Sequence, residues 1–418
     1  MKELFARHGH SLRAYSFSAL DRYWELGSRN SALSHSLPFV WAETDADIAA
    51  LARMFDELRF PGQDLADAAV EVNGVSWYFR YTDADDTIDQ HISFDMLSLA
   101  QDQFTGRFWD SLCVYPLIRG LRDSPQSNPD HLPEQTEYLK GLSPAESWWL
   151  GLNPSAEFCQ ALMDGALILA RYEKEDDPQR IIPRILTFIE ERLNKRQPSW
   201  SVKPSVERQR VFLTSLLMSP KPALGLELLK AAGFVEELWP ELAILDDVSH
   251  SKDFHPEGNV WSHTLETFRY RKTLDLTLSL GLLLHDVGKP LAERYGQRQF
   301  SGHAELGANA AERFLRSLGY DPDLIQDVSY LVKNHMLPAA IKRIPLVKTQ
   351  EILESPLFPV LLELYRCDES SSFKGLDGYY ESSNLYQAYL KHRRNPYRSE
   401  DGKKLNHTKK GSGHHFGS

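Results

Sequence analysis

Cysteine is scarce in this chain. Cys113, Cys159 and Cys367 are the only three in 418 residues, and no two form a CxxC pair. That excludes a disulfide-stapled scaffold and a thiolate zinc cluster, and it fits a reducing compartment, so a cytoplasmic protein is expected. Long apolar runs are lacking as well. None approaches the roughly 18 residues needed to span a bilayer, so no membrane association is expected. The first twenty residues, MKELFARHGHSLRAYSFSAL, have no continuous apolar core of the secretory kind. There is no basic excess either: 47 Lys and Arg stand against 58 Asp and Glu, a formal charge of −11. A protein that lives by phosphate-backbone contacts carries a basic face, and here such a face could only be local. Between Gln179 and Arg210 the chain gathers Arg180, Arg184, Arg192, Lys195, Arg196, Lys203, Arg208 and Arg210 against Glu190, Glu191 and Glu207. A solvated helix face is the commoner explanation of such a run, and RNA contact the minority one.

What is present is an ordinary globular composition, 42% hydrophobic and 25% charged, with two changes of texture along the chain. Up to about residue 115 the signals are mixed. VEVNGVSWYFRYTD alternates apolar and polar residues around Asn73-Gly74, which predicts a hairpin. ISFDMLSLAQDQFTGRFWD predicts strand, turn at Thr105-Gly106, and strand, whereas DADIAALARMFDELRF has helical spacing at Ile48, Leu51, Met54, Phe55 and Leu58. This first segment, 1–115, is expected to be an α/β domain. Over 116–250 the strand signals vanish, and SPAESWWLGL, AEFCQALMDGALILARYEKE, PRILTFIEERLNKR, ERQRVFLTSLLMS and PALGLELLKAAGF predict a helical neck. Residues 251–395 stay helical but gain histidines, and 396–418 have too little apolar content to fold. The expected class is mainly α, with an α/β domain at the N-terminus.

The histidines carry the chemistry. His263 (VWSHTLE), His285 with Asp286 (LSLGLLLHDVGKP), His303 (SGHAEL) and His335 (VKNHMLP) are followed by Asp368 (LYRCDES). Each sits near a helix end or on an otherwise apolar helical face. Singly, each has a structural explanation, as a helix C-terminal residue favoured by the macrodipole or as a half-buried packing residue. Together, imidazole and carboxylate from several helices can build a divalent-ion site inside a bundle, suited to Mn, Ni, Fe, Co, Zn or Mg. His285 and Asp286 are adjacent, so at a helix end they can face one ion together, or Asp286 can bridge two.

The order H…HD…H…H…D, with HDVGKP after an apolar helix and GHAELGA and NHM following, resembles the HD superfamily of metal-dependent phosphohydrolases. The resemblance implies that His263, His285, Asp286 and Asp368 ligate a first ion. It implies that His303 and His335 complete a second site or orient substrate phosphate. Asp286 and Lys289 would carry the chemistry, with Lys289 as a phosphate-binding cation; an exposed lysine at a helix end is the structural alternative. A second likeness lies outside the metal motif. SPKPALGLELLKAAGFVEELWPELAILDDV, with HPEGNVWSHTLETF after it, resembles the neck-to-HD region of bacterial tRNA nucleotidyltransferases, the CCA-adding enzymes and poly(A) polymerases.

The N-terminal segment departs from that pattern. The first hundred residues contain no Gly-Gly loop, and HISFD leaves only Asp95 where the family has Arg-Arg-Asp before its palm strand. Asp45 and Asp47 have D-x-D spacing, but TDADIAALARMF reads as a helix N-terminus, where acidic residues cap. Asp83, Asp85 and Asp86 fall in TDADDT, a predicted turn. A degenerate nucleotidyltransferase-like head is therefore expected. The expected function is a metal-dependent phosphohydrolase acting on a phosphoester: a 2′,3′-cyclic nucleotide, a nucleotide monophosphate or an RNA 3′ end, with tRNA as a possible partner. The alternatives are a tRNA nucleotidyltransferase and a non-catalytic RNA-binding protein.

Overall fold

The computed structural model describes residues 1–27, 37–62, 64–82, 99–110, 158–173, 177–192, 200, 203–248, 258–294, 300–372 and 375–394. Among these, every named strand precedes residue 111 and the elements that follow are helical. Asn73 and Gly74 take φ of 53° and 74°, the left-handed pair a two-residue hairpin needs. β3 (Ala68–Val72) and β4 (Val75–Tyr81) therefore pair antiparallel with Val72 opposite Val75. Between β5 (Leu99–Asp102) and β6 (Phe108–Asp110), Asp102 Oδ1 accepts from the N–H groups of Phe104 and Thr105, and Gly106 takes φ 73°. With β1 (Arg13–Tyr15) and β2 (Phe39–Thr44) these strands form a six-stranded sheet in the order β3-β4-β2-β1-β5-β6. It is antiparallel except between β2 and β4.

Strand alternation sends Trp41 and Tyr78 into the main core. Their neighbours Ala42 and Phe79 go into a smaller core under α1 (Lys2–His8) and α3 (Ile48–Met54). α3 is shorter than its spacing predicts. It ends at Met54, and Phe55 turns extended (φ −133°), where its ring packs 6.2 Å from Phe5 and 5.9 Å from Phe79. Burial of an aromatic ring outweighs the few tenths of a kcal/mol per residue of helix propensity.

The helical part begins, within the described residues, with α4 (Phe158–Tyr172) and α5 (Pro178–Arg192), then α6 (Val206–Leu217), α7 (Pro222–Ala231), α8 (Phe234–Leu238) and α9 (Pro240–Ala243). α2 (Ser16–Gly27) meets α4 through Asp21, which takes two N–H bonds from Arg171 at 2.6 Å. Part of the basic run serves the fold. Arg208 is buried and donates to the Asp64 carbonyl oxygen, Arg210 donates to Gly319 O at 2.5 Å, and Lys203 pairs with Glu237. SPAESWWLGL, Lys195, Arg196, Cys113, the carboxylates Asp83, Asp85, Asp86 and Asp95, and the tail 396–418 lie outside the described residues.

The remaining helices are α10 (Val260–Thr267), α11 (Leu276–Leu284), α12 (Lys289–Arg294), α13 (His303–Ser317), α14 (Pro322–Asn334), α15 (Leu337–Ala340), α16 (Leu346–Glu354), α17 (Phe358–Ser370) and α18 (Asp377–Arg394). One core runs from the sheet through to these helices. Trp239, fully buried, meets Phe234 at 5.0 Å, Phe212 at 6.2 Å and Phe314 of α13 at 6.4 Å, and its Nε1–H donates to Gln209 Oε1. No helix among the described residues is long and apolar enough to cross a membrane.

Candidate metal centre

α11 is the axle of the site. Asp275 caps its start by accepting the Leu278 N–H at 2.7 Å, and Leu278 to Leu284 are all buried. Gly281 lets two neighbours close on it. A Cβ there would stand 2.9 Å from a methyl of Leu364 on α17 and 3.0 Å from one of Leu331 on α14. A helix this apolar all round belongs inside a bundle, and its last turn delivers His285 and Asp286 there, both essentially inaccessible.

The histidines are held by helix-end chemistry. The last carbonyls of a helix have no partner within it, and two of these rings supply one: His285 Nδ1 lies 2.8 Å from Leu282 O, and His335 Nδ1 lies 2.7 Å from Val332 O. At the start of α13, His303 Nδ1 lies 2.9 Å from Phe300 O, across a turn in which Phe300 and Gly302 take φ of 57° and 76°. A carbonyl only accepts, so all three Nδ1 atoms carry the proton, and in the neutral rings Nε2 is a bare lone pair. His263 Nδ1 lies 3.4 Å from Ser371 Oγ, whose own proton goes to Asp368 O, so that hydroxyl accepts from the ring.

All four Nε2 atoms converge on two carboxylates. From His263 Nε2, Asp368 Oδ1 is 3.0 Å away and Asp286 Oδ2 3.9 Å; from His285 Nε2, Asp286 Oδ2 is 3.3 Å and Asp368 Oδ1 4.0 Å. On the other side, Asp286 Oδ1 is 3.6 Å from His303 Nε2 and 3.9 Å from His335 Nε2. Two groups of donor atoms result, His263–His285–Asp286 and Asp286–His303–His335, each close enough to share one ion. Asp286 belongs to both. The six residues picked out by their spacing thus come together from five helices.

The polar atoms of this cluster fit a cation. His285 Nε2 is buried with no hydrogen-bond partner; its approach to Asp286 lacks hydrogen-bonding direction. His303 Nε2 and His335 Nε2 face each other at 3.1 Å, lone pair to lone pair, which is repulsive unless a positive charge lies between them. Burial pushes the His335 imidazole down to about 4 and the His303 imidazole in the same direction, so a proton is not that charge at neutral pH. Burial alone would push the Asp286 carboxyl up. The charge of Lys289 overrides it and holds the carboxyl well below the usual carboxylate range. At Asp368, burial is likewise overridden by the hydrogen bond and charge of His263.

Lys289 is neither exposed nor at a distance. Its Nζ sits 2.5 Å from Asp286 Oδ2 and 5.9 Å from the centre of the Phe300 ring. Lys289 does open α12, but its side chain is largely covered rather than exposed. Side chains of Lys289, His303 and Asp368 are 14%, 13% and 20% exposed while those of His263, His285, Asp286 and His335 are 1–2% exposed. Solvent therefore reaches the cluster past the first three. Cys367, beside Asp368, is buried, and burial pushes its thiol up to about 12. In the head, Asp47 caps α3 by accepting the Ala50 N–H, and Asp45 accepts the Ser11 N–H at 2.8 Å, so both of these carboxylates are engaged by their own neighbourhoods.

Sequence reasoning did not find Ser371, Phe300, or the carbonyls that set each ring's tautomer. Ser371, three residues after Asp368 on a helix, was within reach of a spacing argument. A phenylalanine at positive φ was not.

Residues 260–370, which hold this cluster, match the model of the HD domain family. The chain is also homologous to tRNA nucleotidyltransferases. It is 37% identical over 141 residues to the CC-adding tRNA nucleotidyltransferase of Thermus thermophilus, covering 32% of each chain. To the A-adding tRNA nucleotidyltransferase of Deinococcus radiodurans it is 36% identical over 146 residues, 32% of this chain and 33% of that one. To the multifunctional CCA protein of Halorhodospira halophila it is 36% identical over 118 residues, 28% of each. The matches span about a third of the length of these relatives. Among solved structures, an apo form of a CCA-adding enzyme aligns with 94% of this chain and 80% of its own, at 10% identity and a TM-score of 0.36, too low to carry an argument about architecture.

Proposed function

We propose that the HD domain is a metal-dependent phosphohydrolase that acts on a small phosphoester or an RNA 3′ end. One observation carries this reading: the neutral imidazoles of His303 and His335 turn bare Nε2 atoms toward one another beside Asp286, an arrangement that repels itself without a cation. His263, His285, Asp286 and Asp368 are assigned to one divalent ion, and Asp286, His303 and His335 to a second. A bound divalent ion supplies a water that ionises near neutral pH and a Lewis acid for a phosphoryl oxygen.

The chain's own residues do the rest. The Nδ1–H bonds to Leu282, Phe300 and Val332 keep the rings from turning and maintain Nε2 as acceptors. Lys289 is the cation nearest the open side. It neutralises Asp286 when no substrate is present and can turn from it to an incoming phosphate, guided by the Phe300 face. Expulsion of water by the leucines of α11 keeps the local dielectric low and strengthens each of these interactions. The test is hydrolysis of a 2′,3′-cyclic nucleotide with and without manganese or nickel, beside Asp286→Ala. Metal-dependent turnover that falls at least 100-fold in the variant is expected. Turnover unchanged in Asp286→Ala would sink the assignment.

A second reading rests on the relatives, whose names place them in tRNA nucleotidyl transfer and CCA addition. It makes tRNA a partner of this chain, through the helices before the HD domain or through the head. It predicts incorporation of CTP or ATP into tRNA lost on changing Asp45 or Asp47. The local engagement of both carboxylates favours the hydrolase.

A further inference from the structure

Two glycines lie where the two halves of the cluster meet. Gly288 follows Asp286 by two residues, and Gly307 stands one turn into α13 after His303. A Cβ on Gly288 would overlap the His303 carbonyl oxygen and stand 2.5 Å from Gly307 N and 2.8 Å from Gly307 Cα. All three are backbone atoms, so no rotamer relieves the overlap. A Cβ on Gly307 would stand 3.2 Å from Gly288 N and 3.2 Å from Val332 Cγ1. Val332 is the residue whose carbonyl holds His335 Nδ1. The backbone after α11 thus touches the start of α13 directly, and α13 touches the end of α14 through the same glycine. The other half of the cluster, His263 on α10 and Asp368 on α17, meets α11 through side chains elsewhere.

We infer that Gly288 and Gly307 are positioning residues for the His303–His335 half alone, and that their contact sets whether Asp286 can serve two ions or one. This rests on the two-ion reading above. Asp286 Oδ1 already stands 3.6 Å and 3.9 Å from the two Nε2 atoms. Moving α13 outward by the few tenths of an ångström a methyl demands carries His303 away directly and His335 through Val332. Asp286 Oδ2, His263, His285 and Asp368 stay where they are.

Gly307→Ala is the decisive variant, because its contacts are tight rather than impossible and one of them is a side-chain methyl. Gly288→Ala is the severe version. The experiment loads the full-length chain with manganese and counts ions per chain by elemental analysis, with a manganese EPR titration to resolve the sites and a thermal melt to confirm folding. Two ions are expected in the wild type. Gly307→Ala, melting cooperatively, is expected to keep one at unchanged affinity and bind the other at least tenfold more weakly. His303→Ala placed on Gly307→Ala should then cost no further ion. Two ions held normally by Gly307→Ala overturn the inference and leave the two-ion reading intact, as does equal loss of both. A wild type that never holds more than one ion overturns the two-ion reading itself.

Discussion

A neutral histidine in a protein interior is an unstable arrangement against acid, and two of them here make that measurable. His335 has its imidazole pushed by burial from an ordinary 6.5 down to about 4, and His303 moves the same way. Between those values the unfolded chain binds a proton that the folded chain refuses. Folding stability is therefore fully present above about pH 6.5 and is lost as pH falls toward 4. A tenfold change in proton affinity is worth about 1.4 kcal/mol, so on the order of 3 kcal/mol is at stake at His335. Asp286 and Asp368 are shifted down from the ordinary carboxylate value of 3.8, so their contribution is lost only at still lower pH. Urea melts of the metal-free protein at pH 7.5 and pH 5 should show the loss, and His335→Leu should flatten it. An equal loss in that variant would place the pH dependence elsewhere. At this scale the sequence was most legible, because histidine is uncommon and its helix-end positions could be read from the apolar runs before them. Lys289 was legible as a residue of interest, but not as the partner of Asp286, since an i, i+3 pair at a helix start is decided by which way the helix faces.

Elements bring these residues to one place, and α11 does so by its bare surface. Replacing Gly281 by Ala tests two opposed effects. Helix propensity favours Ala by about 1 kcal/mol, while inserting a methyl into a filled core costs roughly 1–3 kcal/mol. The new Cβ would meet Leu331 and Leu364 at 3.0 and 2.9 Å, so crowding wins and Gly281→Ala should be net destabilising by about 1 kcal/mol. Leu331 lies four residues before His335, and Leu364 four before Asp368. The same variant should therefore weaken ion binding in both halves of the cluster, unlike Gly307→Ala. A chemical melt with a parallel manganese titration checks both statements, and a stabilised variant with unchanged binding contradicts them. Local pattern foretold the Asn73-Gly74 hairpin and the helices over 158–172, 206–217 and 222–231 because turn chemistry and 3.6-residue spacing are local. It could not foretell that β2 runs parallel to β4, or that Phe55 leaves its helix for Phe5 and Phe79. Those outcomes are decided by partners distant in the chain, as is the contact of Gly288 with Gly307.

For the whole molecule, the question is whether the HD domain stands alone. The sequence suggests a boundary near residue 250, where the neck ends and the histidines begin. Packing crosses that boundary freely. Arg271 donates to Leu217 O at 2.5 Å and Ser219 O at 2.7 Å, which stitches the end of α6 to the loop before α11. Burial pushes its guanidinium down to about 10 and those carbonyls hold it in place. Thr214 Oγ1 meets Tyr320 OH at 3.0 Å in the interior, and Phe314 closes on Trp239. Removing residues 1–250 would expose the Phe314 and Tyr320 rings, each worth about 2–3 kcal/mol of burial, and leave the Arg271 guanidinium without its carbonyl partners. A domain is stable by only about 5–15 kcal/mol, so losses of this size take most of it. The fragment 251–395 is accordingly expected to lack a cooperative thermal transition at the full chain's melting temperature and to bind manganese at least tenfold more weakly. Circular dichroism melts and a manganese titration of the two proteins side by side decide it. A fragment that melts with the full chain and keeps its ions would show that the neck is an attachment. The expected failure would show that the neck is part of the metal centre's foundation, so that a ligand held by the neck or the head could alter ion binding through Trp239 and Arg271.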